Sequence, residues 1–172
     1  MKNNVLLLSE EFLKTNSTLS ESVFGKWILP AIREAQSIGL RRIIGDCLYN
    51  TIVGMVADGS IKDEENATYK EFLDNYITEY MLYQTQFELI KYLNVKLTNM
   101  GTVATNDDHI QTLSRADIEL FRNEFRNKAD WWASRMVSFL KCCHDAFPSD
   151  ECTCQKLVDT SSTNIWLGGK RG

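Results

Sequence analysis

The chain has 172 residues, 44% of them hydrophobic and 24% charged, with a net charge of −4. That is the size of one domain, which buries roughly 70% of the surface its unfolded chain exposes, so folding requires neither disulfide nor metal. The mild negative balance excludes general attraction to nucleic acid or anionic membrane, and contact with DNA would need a local patch; two prolines and nine glycines argue against linkers and a turn-rich all-β fold.

Residues 4–8 read as a short strand or extended arm. Val5-Leu6-Leu7-Leu8 is too short for a signal-peptide core and Ser9-Glu10-Glu11 ends it at once, so a cytosolic protein is expected. The five cysteines, an odd number, then fit reduced thiols. Ser9 caps a helical turn reaching Lys14, and Asn16-Ser17-Thr18 is a polar connector. From Glu21 to Gly45, helical spacing aligns Phe24, Trp27, Ile28, Ala31, Ile32, Ala35, Ile38 and Ile43. Pro30 must kink that stretch or start a new helix within it, and Gly45 is a natural stop. Asp46 is placed to cap a further helix to Ala57 carrying Leu48, Ile52, Val53 and Val56.

An acid-rich loop from Asp58 to Asn66 includes Asp63, Glu64 and Glu65 and reads as solvated surface. The next helix is expected over about Ala67–Leu97, with Phe72, Tyr76, Tyr80, Tyr83, Phe87, Ile90 and Leu97 on one packing stripe. Asn99-Met100-Gly101 ends it, and residues 101–104 and 109–112, flanking Asn106-Asp107-Asp108, suggest a small hairpin or extended loop. The last helix begins near Ser114, with Asp117 completing a capping pattern, and runs to about Ala146 before Pro148. Ile118, Phe121, Phe125, Ala129, Trp132, Met136, Phe139 and Cys143 share one face of it and mark a core element. Trp131 and Trp132 stand 100° apart on a helix, so one packs inside and the other reaches an edge or a partner. The fold class expected is all-α: an antiparallel helical bundle over residues 1–147, with an N-terminal arm, and an extended tail over 148–172.

Little in the chain carries chemistry. Cys142, Cys143 and His144 with Cys152 and Cys154 form the one cluster of metal-ligand types, but pairs that are adjacent or one residue apart miss the two-to-four-residue spacing zinc uses. His109 beside Asp107 and Asp108 lies in a turn-like loop with no assignable nucleophile. No Gly-rich phosphate loop is present. Arg41, Arg42, Arg115, Arg122, Arg126 and Lys128 lie among acids and read as solvated ion pairs. No enzyme, cofactor or resident metal is expected. Trp166, beside two glycines and two basic residues, has the character of an aromatic anchor on an arm, or of a segment folded back on the bundle.

The stretch Trp27-Ile28-Leu29-Pro30-Ala31-Ile32-Arg33-Glu34-Ala35-Gln36, continuing through Ile43-Ile44-Gly45-Asp46-Cys47-Leu48-Tyr49, resembles the first helices of head-to-tail connector proteins of tailed bacteriophages. The Tyr-rich helix, Thr98-Asn99-Met100-Gly101, a variable loop and the long last helix follow in the same order, most like the adaptors of crAss-like phages. The resemblance spans about residues 5–145 and rests on helix-packing patterns. It implies a twelve-fold ring in the virion beneath a portal protein, assembled from chains made in the host cytoplasm. Such a ring extends the DNA channel, passes genomic DNA without reading its sequence, docks further tail or ring proteins and touches no membrane. It implies that the C-terminal segment, with Leu157, Ile165, Trp166, Leu167, Lys170 and Arg171, meets the portal. It also implies that Asn106, Asp107, Asp108 and His109 lie at a ring interface or the lumen. The segment from Cys142 to Cys154 departs from the family pattern. The alternative reading is a soluble helical binding or regulatory module with a Cys/His zinc knuckle near the C-terminus.

Overall fold

A computed structural model describes residues 5–17, 19, 23, 25–98, 101–104, 115–143 and 146–147. The fold is all-α with one small hairpin. In chain order come α1 (Glu10–Asn16), α2 (Gly25–Glu34), a π-helical segment (Ala35–Leu40), α3 (Arg41–Ile44) and α4 (Asp46–Asp58). Two 3₁₀ turns (Ser60–Lys62 and Glu64–Asn66) lead to α5 (Ala67–Phe72), a second π segment (Leu73–Ile77), α6 (Thr78–Asn94), β1 (Val95–Thr98), β2 (Gly101–Ala104) and α7 (Arg115–Cys142). α6 is the central helix, packed by α7 on one side and by α2 with its π segment on another.

Local chemistry explains most boundaries. Ser9 Oγ accepts the Phe12 amide at 3.0 Å, which is the expected cap of α1. α2 starts before Pro30 and runs through it, so the proline does not begin a helix and removes only the bond to the Lys26 carbonyl. Gly45 ends α3 at φ 80, ψ 162, a conformation that side chains disfavour, and Gly59 closes α4 in the left-handed region. Asp46 is the first residue of α4 rather than its cap; its carboxylate accepts instead from Arg41 Nε at 2.5 Å.

The two π segments displace the apolar stripes. An i→i+5 turn brings residues five apart onto one face. Ala35 and Leu40 are both fully buried, and so are Phe72 and Ile77. Ile38, expected on the inner stripe, is left 62% exposed. From Ile77, the last residue of the second π segment, the core face continues along α6 through Met81, Thr85 and Leu89 with Tyr80, while Tyr83, Phe87 and Ile90 are only partly buried. Gly39 lets the first segment approach α6: a Cβ there would stand 2.7 Å from the Tyr80 hydroxyl and 3.2 Å from Gln84 Cγ. Burial pushes the Tyr80 phenol well above its ordinary pKa, and its ring cannot yield easily. Gly39→Ala is therefore expected to cost about 1–3 kcal/mol as an overpacked contact; a thermal melt equal to wild type would sink that reading.

The hairpin differs from expectation. α6 stops at Asn94, and β1 pairs antiparallel with β2 in the register Val95↔Ala104 to Thr98↔Gly101. The expected hairpin set 101–104 against 109–112; residues 109–112 lie outside the described residues, and the strand beside β2 is 95–98. Val95 and Thr98 are β-branched and Lys96 alternates with apolar neighbours, a short-range strand pattern that overrode the helical continuation. α7 ends at Cys142, before Ala146, and Ser114 lies outside the described residues.

At the α5 end the core is aromatic. Phe72 stacks on Phe139 with centroids 5.4 Å apart, and Phe147 closes on Tyr69 at 5.0 Å and on Phe72 at 5.5 Å. Trp132 turns inward against Tyr76, while Trp131 is 55% exposed under the Arg135 guanidinium, the division expected of adjacent helical residues. Cys47 is disulfide-bonded, which corrects the expectation of reduced thiols for that residue; Cys142 and Cys143 are free. Half-buried in the first turn of α4, Cys47 is held where a thiol can be bridged, and an odd cysteine count carries no information on that placement.

Candidate functional site

Asn106, Asp107, Asp108 and His109, and likewise Leu157, Ile165, Trp166, Leu167, Lys170 and Arg171, lie outside the described residues. So do His144, Cys152 and Cys154, and among the described residues no group of three His, Cys, Asp or Glu side chains is placed to hold a metal ion. What the bundle does present is three surfaces.

The first runs along α2, the π segment and α3, where Lys26, Arg33 and Arg42 are exposed around Ile38 and Arg41 adds a partly exposed guanidinium. Of its acids, Asp46 is exposed and paired with Arg41, and Glu34 is turned inward. Lys91 Nζ reaches Glu34 Oε1 at 2.5 Å and Glu88 Oε2 at 2.9 Å, and the Tyr92 hydroxyl donates to Glu34 Oε2 at 2.8 Å. Burial pushes the Glu34 carboxyl up, but the hydrogen bonds from Lys91 and Tyr92 outweigh it and leave the pKa below the ordinary carboxylate value. With Glu34 withdrawn and the exposed Asp46 paired with Arg41, the remaining charges of this face, Lys26, Arg33 and Arg42, leave it net basic.

The second surface is acidic. Asp58, Asp63, Glu64, Glu65, Glu71 and Asp74 are exposed around the far end of α4, along α5 and at the start of the second π segment, with Lys62 and Lys70 among them. Ser60 donates to Asp58 through its hydroxyl at 2.7 Å and its amide at 2.9 Å, holding that carboxyl below its usual range. The two surfaces are separated along α4 by about 18 Å, from the rise per residue.

The third is the first half of α7. Ala129 is the first fully buried residue of the helix; before it Leu120 is 70% and Phe121 50% exposed. The sequence put Phe121 on the core stripe, yet only from Ala129 onward does that stripe meet a neighbour throughout. Arg122 lies over the Phe87 ring at 4.5 Å, and its buried Nε has no acceptor. The expected ion pairs are present but exposed: Lys128 to Glu124 at 2.5 Å, Arg126 to Asp130 and Arg122 to Glu119 at 3.9 Å.

A family model described as a family of unknown function, DUF6712, matches residues 40–158. The chain belongs to DUF6712. No curated protein and no solved structure matches it. The DUF6712 match takes in α3 to α7, hence the acidic end and the uncovered half of α7, and begins at Leu40, the last residue of the π segment that carries Gln36 and Ile38. Among the described residues no helix is long and apolar enough to cross a membrane.

The Lys91 network offers a direct test of how α2 is fixed to α6. Lys91→Met is expected to cost about 1 kcal/mol, since the pair is partly solvated. Glu34 has a lowered folded pKa, so its contribution is present above the unfolded carboxylate pKa and is lost as pH falls through the folded value. The gap between wild type and variant in urea melts should thus be open at pH 7 and narrow near pH 3; an equal gap at both would exclude an ionic origin.

Proposed function

We propose that the chain is a structural assembly subunit, a ring protein set between the portal and the tail of a phage virion. The observation that carries this reading is the uncovered first half of α7. Leu120 and Phe121 are exposed on successive positions of a helix whose second half is core, and exposed large apolar side chains there support the reading of a protein–protein contact. The segregation of charge supports it. A basic strip at one end of α4 and an acidic end at the other suit contacts in which unlike patches of successive copies meet, the heterologous arrangement that closes into rings. The resemblance to phage connectors supplies the partners: a portal above, copies of itself around a dodecameric ring, further ring or tail proteins below, and genomic DNA passing through without sequence readout. The role is mechanical, and the reading needs no catalytic group, cofactor or metal.

The test is sedimentation with negative-stain imaging of the purified protein, alone and mixed with the portal of the same genome. Stacked rings with the portal are expected. A protein that stays monomeric and ignores the portal would refute the assignment.

A further inference from the structure

The first π segment is pinned from within and leaves one large apolar side chain outside. Gln36, only 5% exposed, accepts the Leu7 amide on its Oε1 at 2.9 Å, and its Nε2 donates to the Val5 carbonyl and the Tyr49 hydroxyl, both at 3.0 Å. Gly39 is held against Tyr80. With its inner side fixed in this way, the segment presents Ile38 to solvent at 62% exposure, between Arg33 and Arg42, which are also exposed. Single π turns are rare and frequently mark functional sites. Neither guanidinium has an ion pair among the described residues. An apolar centre inside a charged rim is the layout of a protein–protein contact.

A second row on the same chain has the complementary layout. Glu64, Ala67 and Glu71, spaced three and four, run from the second 3₁₀ turn directly into α5, and all three are exposed. Neither carboxylate has an ion pair among the described residues; of the cations beside them, Lys70 is held by Asp74, and Lys62 stands against Asp63 and Glu65. Helical rise puts Arg33 and Arg42, and likewise Glu64 and Glu71, about 12 Å apart. We infer that the face carrying Arg33, Ile38 and Arg42 docks on the row Glu64, Ala67 and Glu71 of a second copy. Ile38 fills the space left over the Ala67 methyl, and the two arginines meet the two glutamates. Charge complementarity names the occupant, since the acid row has the length, the sign and the small centre this face requires. At the far end of α4, about 18 Å away by helical rise, it is out of reach of its own copy's arginines. One copy can therefore hold a neighbour on each row, in a head-to-tail contact. That the contact recurs around a ring rests on the assembly reading above; the contact itself does not.

Two full-length variants test the pairing. Arg33→Glu/Arg42→Glu makes both rows acidic, and Glu64→Arg/Glu71→Arg makes both basic; all four positions are exposed, so circular dichroism should match wild type. In sedimentation at rising concentration the wild type should associate with itself, and each variant alone should stay monomeric. Their equimolar mixture should associate again, with an affinity within about threefold of wild type. Substitutions that merely unfolded the chain could not be rescued by mixing. Adding Ile38→Ala to both variants should weaken the mixture by about fivefold or more, which attraction between unlike net charges alone would not show. A wild type that stays monomeric, a variant that associates as wild type does, a mixture that stays apart, or a mixture indifferent to Ile38 would each overturn the contact. None of these readouts involves the portal. Association with these properties but no ring on the portal would remove the connector reading and leave this contact, whereas rings formed on the portal by either variant alone would remove the contact and leave the connector reading.

Discussion

Replacing Phe72 with alanine is expected to destabilise the bundle by about 3–5 kcal/mol, the cost of truncating a fully buried aromatic. Phe72 closes α5, is completely buried, and lies within ring contact of Phe139 at 5.4 Å, Phe147 at 5.5 Å and Tyr76 at 6.0 Å. Its removal leaves three rings from three separate segments without their common neighbour. A domain stable by roughly 5–15 kcal/mol loses a large share of its margin in this way. The urea midpoint should fall sharply at an unchanged slope, Phe72→Leu should cost less than half as much, and Trp131→Ala, in solvent on α7, should move stability by no more than about 0.5 kcal/mol. Equal losses at Phe72 and Trp131 would mean that the aromatic cluster is not the centre of the core.

The second large effect is on association and not on folding. Leu120→Glu together with Phe121→Glu should leave the monomer's melting temperature within error of wild type, because both side chains already stand largely in water. In an interface, large apolar side chains at a contact centre cost about 2 kcal/mol or more each when lost, roughly 30-fold in affinity per residue. Portal-dependent rings should therefore disappear from sedimentation profiles while circular dichroism is unchanged. Rings formed at wild-type concentration would show that this face of α7 is not the contact.

Much of the fold was legible because an amphipathic helix announces its period. The cap at Ser9, the stop at Gly45 and the division of labour between Trp131 and Trp132 follow from local chemistry. The π segments were not legible: a turn that carries an extra residue looks like an ordinary helix with one misplaced side chain, and Ile38 is that side chain. Nor could the pattern place the hairpin, since Val95 to Thr98 satisfies a helical stripe and an alternating strand about equally. Asp46 looked like a cap because its type and position fit one, but the Arg41 guanidinium claimed its carboxylate first. The candidate interface was the hardest part. Phe121 obeys the core period as well as Met136 does, and periodicity cannot say where along a helix the covering neighbour runs out. Gln36 could have been suspected from the rarity of an amide between Ala35 and Leu40 on a buried turn, though its ligands are far away in sequence.

In the proposed ring, the opposite net charges at the two ends of α4 would bear on how quickly copies meet. Fields of this kind act before contact, turning approaching molecules so that unlike ends lead, and they fade over about 10 Å in 0.1 M salt. Ionic strength should then govern the pace at which subunits find one another far more than the durability of what they build. A protein arranged in this manner would assemble briskly in dilute buffer and sluggishly in concentrated salt, and reach the same finished object in both.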